Sequence, residues 1–201
     1  MHRDTLSELG SSFLEKERYW GLKRKKEPEA RIAEACGAGA LSLEYQKERQ
    51  CRIEARPYIE LDRVQDGAIQ ALEHLGQTYE QVLVTLRHDT ENLIWQLHHQ
   101  DLTRHFSAVL SSGEVSDPRW KLKYGLVSEH LKQHPGRAAR HVLITDTDTD
   151  VRSGKELGFA TIAITNGIRE RSILEAAHPD RIIDRTSELL ERAVLELLES
   201  S

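Results

Sequence analysis

The sequence predicts an α/β fold: a Rossmann-like, mainly parallel sheet between helices, preceded by a small α-helical unit. Three observations predict it. After residue 60, five short apolar runs are each bounded by polar residues, the pattern of strands buried on both faces. Helical patterns lie between those runs, and such alternation builds βαβ units. Before residue 60 no run reads as a strand.

The expected division is therefore 1–60 and 61–201. In the first part, Ser12-Phe13-Leu14-Glu15 has the form of a capping box, with Ser12 capping and Glu15 reaching back. The helix it opens would carry Phe13, Tyr19, Trp20 and Leu22. Gly37-Ala38-Gly39 marks a turn. A charged helix from about Leu43 to Ala55 would be stopped by Pro57.

In the second part, Asp66-Gly67 precedes a helix from Ala68 to Leu75. The strands expected are Val82 to Leu86, Ala108 to Leu110, His141 to Ile144, Ala160 to Ile164, and Arg181 to Ile183. Asn92 to Leu97 is helical, with Trp95 on an apolar face beside Leu93, Ile94 and Leu97. Asp117-Pro118 opens another helix, Asp as N-cap and Pro at the first helical position. Gly154 to Leu157 is a short helix closed by Gly158. A last helix, Thr186 to Glu199, carries Leu189, Leu190, Ala193, Val194, Leu197 and Leu198 on one stripe.

Composition narrows the function. Hydrophobic residues are 38% and charged residues 30% of the chain, and the net charge is −5. No uncharged run approaches the ~18–20 apolar residues a spanning helix needs, so no membrane association is expected. The acidic balance argues against a nucleic-acid partner. Cys36 and Cys51 are the two cysteines, which fits reduced thiols and a cytoplasmic location.

In open parallel sheets, ligands sit beyond the carboxyl ends of the strands. Thr85 and Arg87 end the first run. Asp146, Asp148 and Asp150, alternating with threonines, follow the strand ending at Ile144. Three aspartates so close repel one another unless a cation or donors compensate them. Magnesium, held by one or two carboxylates with water and phosphate, is one compensation. The alternative is that these aspartates cap the next helix or face solvent. Lys121 and Lys123 begin the preceding helix, where a lysine can neutralise an anion or simply be solvated.

In this order, these pieces resemble the haloacid dehalogenase superfamily, and within it the phosphoglycolate-phosphatase-like hydrolases with a helical cap. Val82-Leu83-Val84-Thr85 is similar to the second family motif, a strand ending in Thr or Ser that holds phosphate. Lys123 is similar to the third motif. Ile144-Thr145-Asp146-Thr147-Asp148-Thr149-Asp150 is similar to the fourth, and Gly154 to Thr165 continues it. The resemblance covers roughly residues 60 to 190, and the helical segment ahead of it would be the cap. It implies a magnesium-dependent phosphatase of a small phosphomonoester. A carboxylate attacks phosphorus and water cleaves the aspartyl-phosphate, while magnesium neutralises charge. Asp146 and Asp150 would hold Mg2+, Thr85 a phosphate oxygen, and Lys123 the charge that develops on transfer. Thr85, Lys123, Asp146 and Asp150 are thus the candidate catalytic residues. Thr85, Arg87, Lys123, Lys23 and Arg24 are the candidate substrate contacts, the last pair from the cap.

Two departures stand out. Thr145 occupies a position that is usually glycine in the fourth motif. The first motif, Asp-x-Asp-x-Thr after the first strand, has no counterpart: Asp4-Thr5-Leu6 imitates its tail with no strand before it. His2 to Leu9 reads instead as the first cap helix. The expectation is a natural protein longer at its N-terminus, with this chain inactive or impaired, and an open slot between the strands ending at Thr85 and Ile144. That slot would favour self-association into a homo-oligomer. The alternative is a non-catalytic haloacid-dehalogenase-like protein that binds a phosphorylated ligand or a partner. A dehalogenase or phosphonate hydrolase of the same superfamily is a third reading. The basic stretch Lys16 to Lys26 reads as a solvated helix face or an anion contact. His130 and His134 have metal-compatible spacing without a metalloprotease context.

Overall fold

Helices before Arg63 close on a core of their own. The computed structural model describes residues 1–112, 118–135, 140–192 and 194–196. Two compact units emerge, Met1–Arg63 and Val64–Ser201. In the first, α1 (His2–Glu8), α2 (Lys16–Arg24), α3 (Glu29–Ala35), α4 (Ser42–Arg52) and α5 (Arg56–Ile59) follow one another. Leu6, Leu14, Tyr19, Ile32, Ala33, Cys36, Ala38 and Tyr45 form its core. Leu6, Ile32 and Tyr45 are fully buried, and each such side chain contributes about 1.5–3 kcal/mol of transfer free energy.

Three sequence expectations change here. Ser12 caps nothing; its hydroxyl donates to the Cys36 carbonyl at 2.6 Å. The chain stays out of helix through Phe13 and Leu14, α2 begins after Glu15, and Leu14 drops into the core. Helix α3 was hidden by its charged sequence, which spends only Ile32 and Ala33 on the core. Pro57 does not end α4, which stops at Arg52; it sits in the first turn of α5. Proline is tolerated there because first-turn N–H groups have no helical partner.

A polar cluster lies inside this unit. The His2 ring stacks on Tyr19 with centroids 4.2 Å apart, its Nδ1 is 2.8 Å from the Tyr45 phenol oxygen, and its Nε2 is 3.9 Å from Cys36 Sγ. Burial, opposed by the Glu29 carboxylate and aided by Arg49 and Lys23, pushes the His2 pKa down from 6.5 to about 4. Between those values the unfolded chain binds the proton and the folded chain does not. Stability from this site is complete above pH 6.5 and is lost as pH falls toward 4. Thermal melts of the wild type should show the first unit weakening across that window, with a smaller decline in His2→Phe, which keeps the stack but cannot titrate. Parallel declines would exclude His2 as the cause.

The second unit runs α6 (Ala68–Leu75), β1 (Val82–Thr85), α7 (Thr90–His99), β2 (Ala108–Ser111), α8 (Arg119–Gln133), β3 (Val142–Thr145), α9 (Asp148–Glu156), β4 (Ala160–Ile164), α10 (Arg171–Glu175) and β5 (Arg181–Ile183), then a 3-10 turn, Thr186–Leu190. The fold is α/β, with parallel sheets between helices. Strand β4 pairs in parallel with β3 and β5, Ile162 opposite Ile144 and Arg181. On one face Ile162 and Ile164 meet Ala71, Leu75, Ile183, Leu189 and Val194. On the other, Ala163 meets Val151 and Leu174. Helix α9 lies close on the sheet at Gly154, where a Cβ would fall 2.7 Å from Thr161 Cγ2 and 3.1 Å from Leu143 Cδ2.

The parallel strands do not form one sheet. Among the described residues β1 pairs only with β2, Val82 opposite Ala108, and no ladder joins that pair to β3-β4-β5. β1 is half-buried along its length and Ile144 on β3 is 36% exposed, whereas β4 is buried from Thr161 onward. An edge strand has lost one neighbour and its covering side chains.

Other boundaries shift as well. Asp117 lies outside the described residues, and Pro118 is the N-cap of α8 rather than its first residue. Helix α9 begins at Asp148, well before Gly154. The expected helix Thr186 to Glu199 breaks at Glu191, which is extended; the tight turn lets both Leu189 and Val194 enter one core. Ala193, Leu197 and Leu198 are outside the described residues. Ile94 is exposed rather than core-facing, and Trp95 stacks on His99 at 4.9 Å. No described helix is long and apolar enough to cross a membrane.

Candidate functional site

Strand β3 delivers Thr145 to the head of α9, and the start of that helix organises the aspartates. The Thr147 side chain caps α9 by accepting the Asp150 N–H at 3.2 Å, so a threonine, not an aspartate, is the cap. Asp148 and Asp150 fall in the first turn, where the helix dipole favours negative charge.

Each of the three aspartates has its own donors, which offset part of their mutual repulsion. Asp150 is buried; its Oδ2 accepts from Lys123 Nζ at 2.5 Å and from the Thr145 hydroxyl at 2.9 Å. The Thr145 oxygen in turn accepts the Thr147 N–H at 3.2 Å. Asp148 accepts from Arg169 Nε at 3.2 Å. Asp146 Oδ2 accepts the Ile168 N–H at 2.9 Å. Thr145 therefore has a role: its hydroxyl bridges the capping turn to Asp150.

Lys123 reaches this turn because α8 is pinned to α9. Ser153 Oγ donates to the Trp120 carbonyl at 3.0 Å, and the Arg152 guanidinium lies 4.3 Å over the Trp120 ring. Trp120 thus packs as a clamp between helices. α8 also packs on β1, whose carboxyl end carries Thr85 and Arg87; the Thr85 hydroxyl accepts the Arg87 N–H at 3.3 Å. Lys23 and Arg24 belong to the first unit. The Lys23 ammonium pairs there with Glu29 and its side chain is 13% exposed, while Arg24 faces solvent. Arg169 is a member of this cluster that the motifs do not mark. It follows β4, so its place beyond a strand's carboxyl end is the signal that points to it.

Asp146 and Asp150 fit a magnesium site in a minimal sense. Magnesium takes one or two carboxylates and keeps several waters. Oδ1 of Asp146 makes no hydrogen bond among the described residues, and Asp150 has one oxygen beyond those Lys123 and Thr145 engage. No group of three or more His, Cys, Asp or Glu side chains able to hold a metal gathers among the described residues. His134 Nδ1 lies 2.9 Å from the His130 carbonyl within α8.

Residues 121–189, which contain Lys123 and all three aspartates, match the sequence profile of the HAD-hydrolase-like family. Over that segment the chain is similar to the haloacid dehalogenase-like hydrolases. A second match is the probable phosphatase IndB of Dickeya dadantii (strain 3937), 32% identical over 89 residues. That match covers 44% of this chain and 38% of the relative, so the chain matches well under half the length of IndB. The haloacid dehalogenase-like family protein SP0104 of Streptococcus pneumoniae has the same fold: TM-score 0.69, 20% identity, 99% of this chain and 87% of that one. So does the magnesium-bound structure of Bacillus subtilis YfnB, at TM-score 0.60 and 18% identity over 93% and 86% of the two chains. Thr85, Arg87, Lys23 and Arg24 precede the profile match.

Proposed function

We propose that this chain supplies the phosphate- and magnesium-handling part of a phosphatase acting on a small phosphomonoester, of the phosphoglycolate-phosphatase-like branch, with residues 1–60 as its cap. The observation that carries the reading is the Lys123–Asp150–Thr145 cluster beside Asp146, at the carboxyl end of β3. Asp150 holds the Lys123 ammonium at the site, where it offsets phosphoryl charge. Thr85 donates to a phosphate oxygen, and Arg87 adds a second cation. Asp146, with Asp150 behind it, would hold magnesium, which supplies charge neutralisation at the phosphoryl oxygens. Lys23 and Arg24 stay candidate substrate contacts of the first unit: the Lys23 ammonium is engaged by Glu29, and Arg24 is exposed.

The carboxylate nucleophile is assigned to a strand lying between β1 and β3. Among the described residues each of those strands has an unpaired edge, and such an edge is a ready template for pairing with a further strand. The test is hydrolysis of p-nitrophenyl phosphate with magnesium. The 201-residue chain should show no turnover. The same chain preceded by an apolar strand ending in Asp-x-Asp-x-Thr should turn over, and should lose most of that rate in Lys123→Met. Turnover by the chain alone at ordinary enzymatic rates would remove the need for the added strand. A folded, extended chain that stays inert would favour the binding-protein reading.

A further inference from the structure

We propose that the segment after β4, Gly167 to Arg169, is a strap that holds Asp146 to one free oxygen and thereby sets the site's preference for magnesium over calcium. The inference rests on Asp146 as a magnesium ligand. Three contacts fasten the strap to the β3–α9 turn. The Ile168 N–H takes Oδ2 of Asp146 at 2.9 Å. Arg169 Nε takes Asp148 at 3.2 Å, both side chains under one-fifth exposed at 16% and 18%. Gly167 is pressed so close that a Cβ there would stand 2.2 Å from both Cβ and Oδ2 of Asp146. Its φ is not left-handed, so glycine is required here by space alone.

The far side of the strap is anchored too. The Thr165 N–H donates to the Ile183 carbonyl at 3.0 Å, and its hydroxyl to Asp184 at 2.7 Å. Arg171 also donates to Asp184, at 2.5 Å. The strap is thus bound to the end of β5 behind it and to the aspartate turn in front.

The chemical consequence concerns denticity. Calcium accepts bidentate carboxylates and six to eight oxygens, whereas magnesium demands a tight octahedron and tolerates few protein ligands. With Oδ2 accepting the Ile168 N–H, a cation that takes both oxygens of Asp146 must share Oδ2 with that N–H, whereas one that takes Oδ1 alone need not. Arg169 holds Asp148, so that carboxylate does not swing in as an extra donor. Gly167, Ile168 and Arg169 are positioning residues in this scheme; none touches substrate.

The test is cation binding by the whole chain, read as displacement of Mn2+ followed by electron paramagnetic resonance, with Mg2+ and Ca2+ as competitors. Partners behind a metal ligand typically govern about 10–100-fold in affinity. Gly167→Ala should weaken Mg2+ by roughly that factor and Ca2+ by much less, so the Mg2+/Ca2+ ratio falls. Arg169→Met should lower the ratio at the small end of that range, with partial rescue in Arg169→Lys. A merely structural role would lower the melting temperature without changing the ratio. Should Gly167→Ala fail to fold, Arg169→Met decides alone. A wild-type ratio in every folded strap variant, with binding abolished in Asp146→Asn, overturns the strap and leaves the ligand assignment standing. Wild-type binding in Asp146→Asn, or none in the wild type, overturns the ligand assignment and the strap with it.

Discussion

Lys123→Met should destabilise the second unit by about 2–3 kcal/mol at pH 7. The Lys123 and Asp150 side chains are 16% and 10% exposed. Removing one partner of a buried pair typically costs about 3–5 kcal/mol, because the other charge is left without compensation. The expectation lies below that range for two reasons: Asp150 keeps the Thr145 hydroxyl at 2.9 Å, and the pair is not wholly dry. For a chain of this size, about 2–4 °C per kcal/mol makes the shift in melting temperature roughly 4–12 °C. Asp150→Asn should cost less, since the amide oxygen still accepts from Lys123 and Thr145 and the long lysine side chain can swing its ammonium toward water. The double variant should be little worse than Lys123→Met alone, which gives a coupling within the ~0.5–3 kcal/mol seen for contacting residues. Strict additivity would mean that the two side chains do not meet in solution. The same cycle bears on function, because a measured coupling shows that Asp150 holds Lys123 at the site through Oδ2.

Strands of the second unit were legible because a strand covered on both faces shows an uninterrupted apolar run. Val82-Leu83-Val84 and Ala160 to Ile164 could be little else, and their observed ends fall within a residue of the polar flanks. The first unit was harder. Its helices are short and charged, and α3 contributes only two buried residues, too few to register as a periodic stripe. Ser12 misled for a related reason: a hydroxyl before a helix also satisfies a carbonyl elsewhere, here that of Cys36. The site followed the same division. Asp146, Asp150 and Lys123 stood out because strand ends and helix starts are visible along the chain. The pairing partner of each was not visible. Lys123 meets Asp150 across 27 residues and Arg169 meets Asp148 across 21, and only the docking of α8 on α9 and the path of the chain after β4 bring them together.

Ile162→Ala should be among the most damaging substitutions, at about 3–4 kcal/mol, and its comparison with Ile144→Ala tests the gap beside β3. Ile162 is fully buried at the centre of β4 and meets Ala71, Leu75, Ile183, Leu189 and Val194. Truncating a buried isoleucine to alanine costs about 2–5 kcal/mol, set by how far the surroundings collapse. Little collapse is open here, because β4 is bonded to β3 on one side and β5 on the other. Against a total stability of ~5–15 kcal/mol, that loss brings the unit close to unfolding at 37 °C. Ile144 lies opposite it in the ladder but is 36% exposed, so its truncation removes less buried surface and should cost under about 1 kcal/mol. Urea midpoints of the two variants in the 201-residue chain should therefore differ widely. The difference should narrow when a strand is added ahead of Met1, because a neighbour on β3 would cover Ile144 and raise its burial toward that of Ile162. Equal losses in the unextended chain would mean that the edge of β3 is already covered in solution. An unchanged difference in the extended one would mean that the added strand does not lie beside β3.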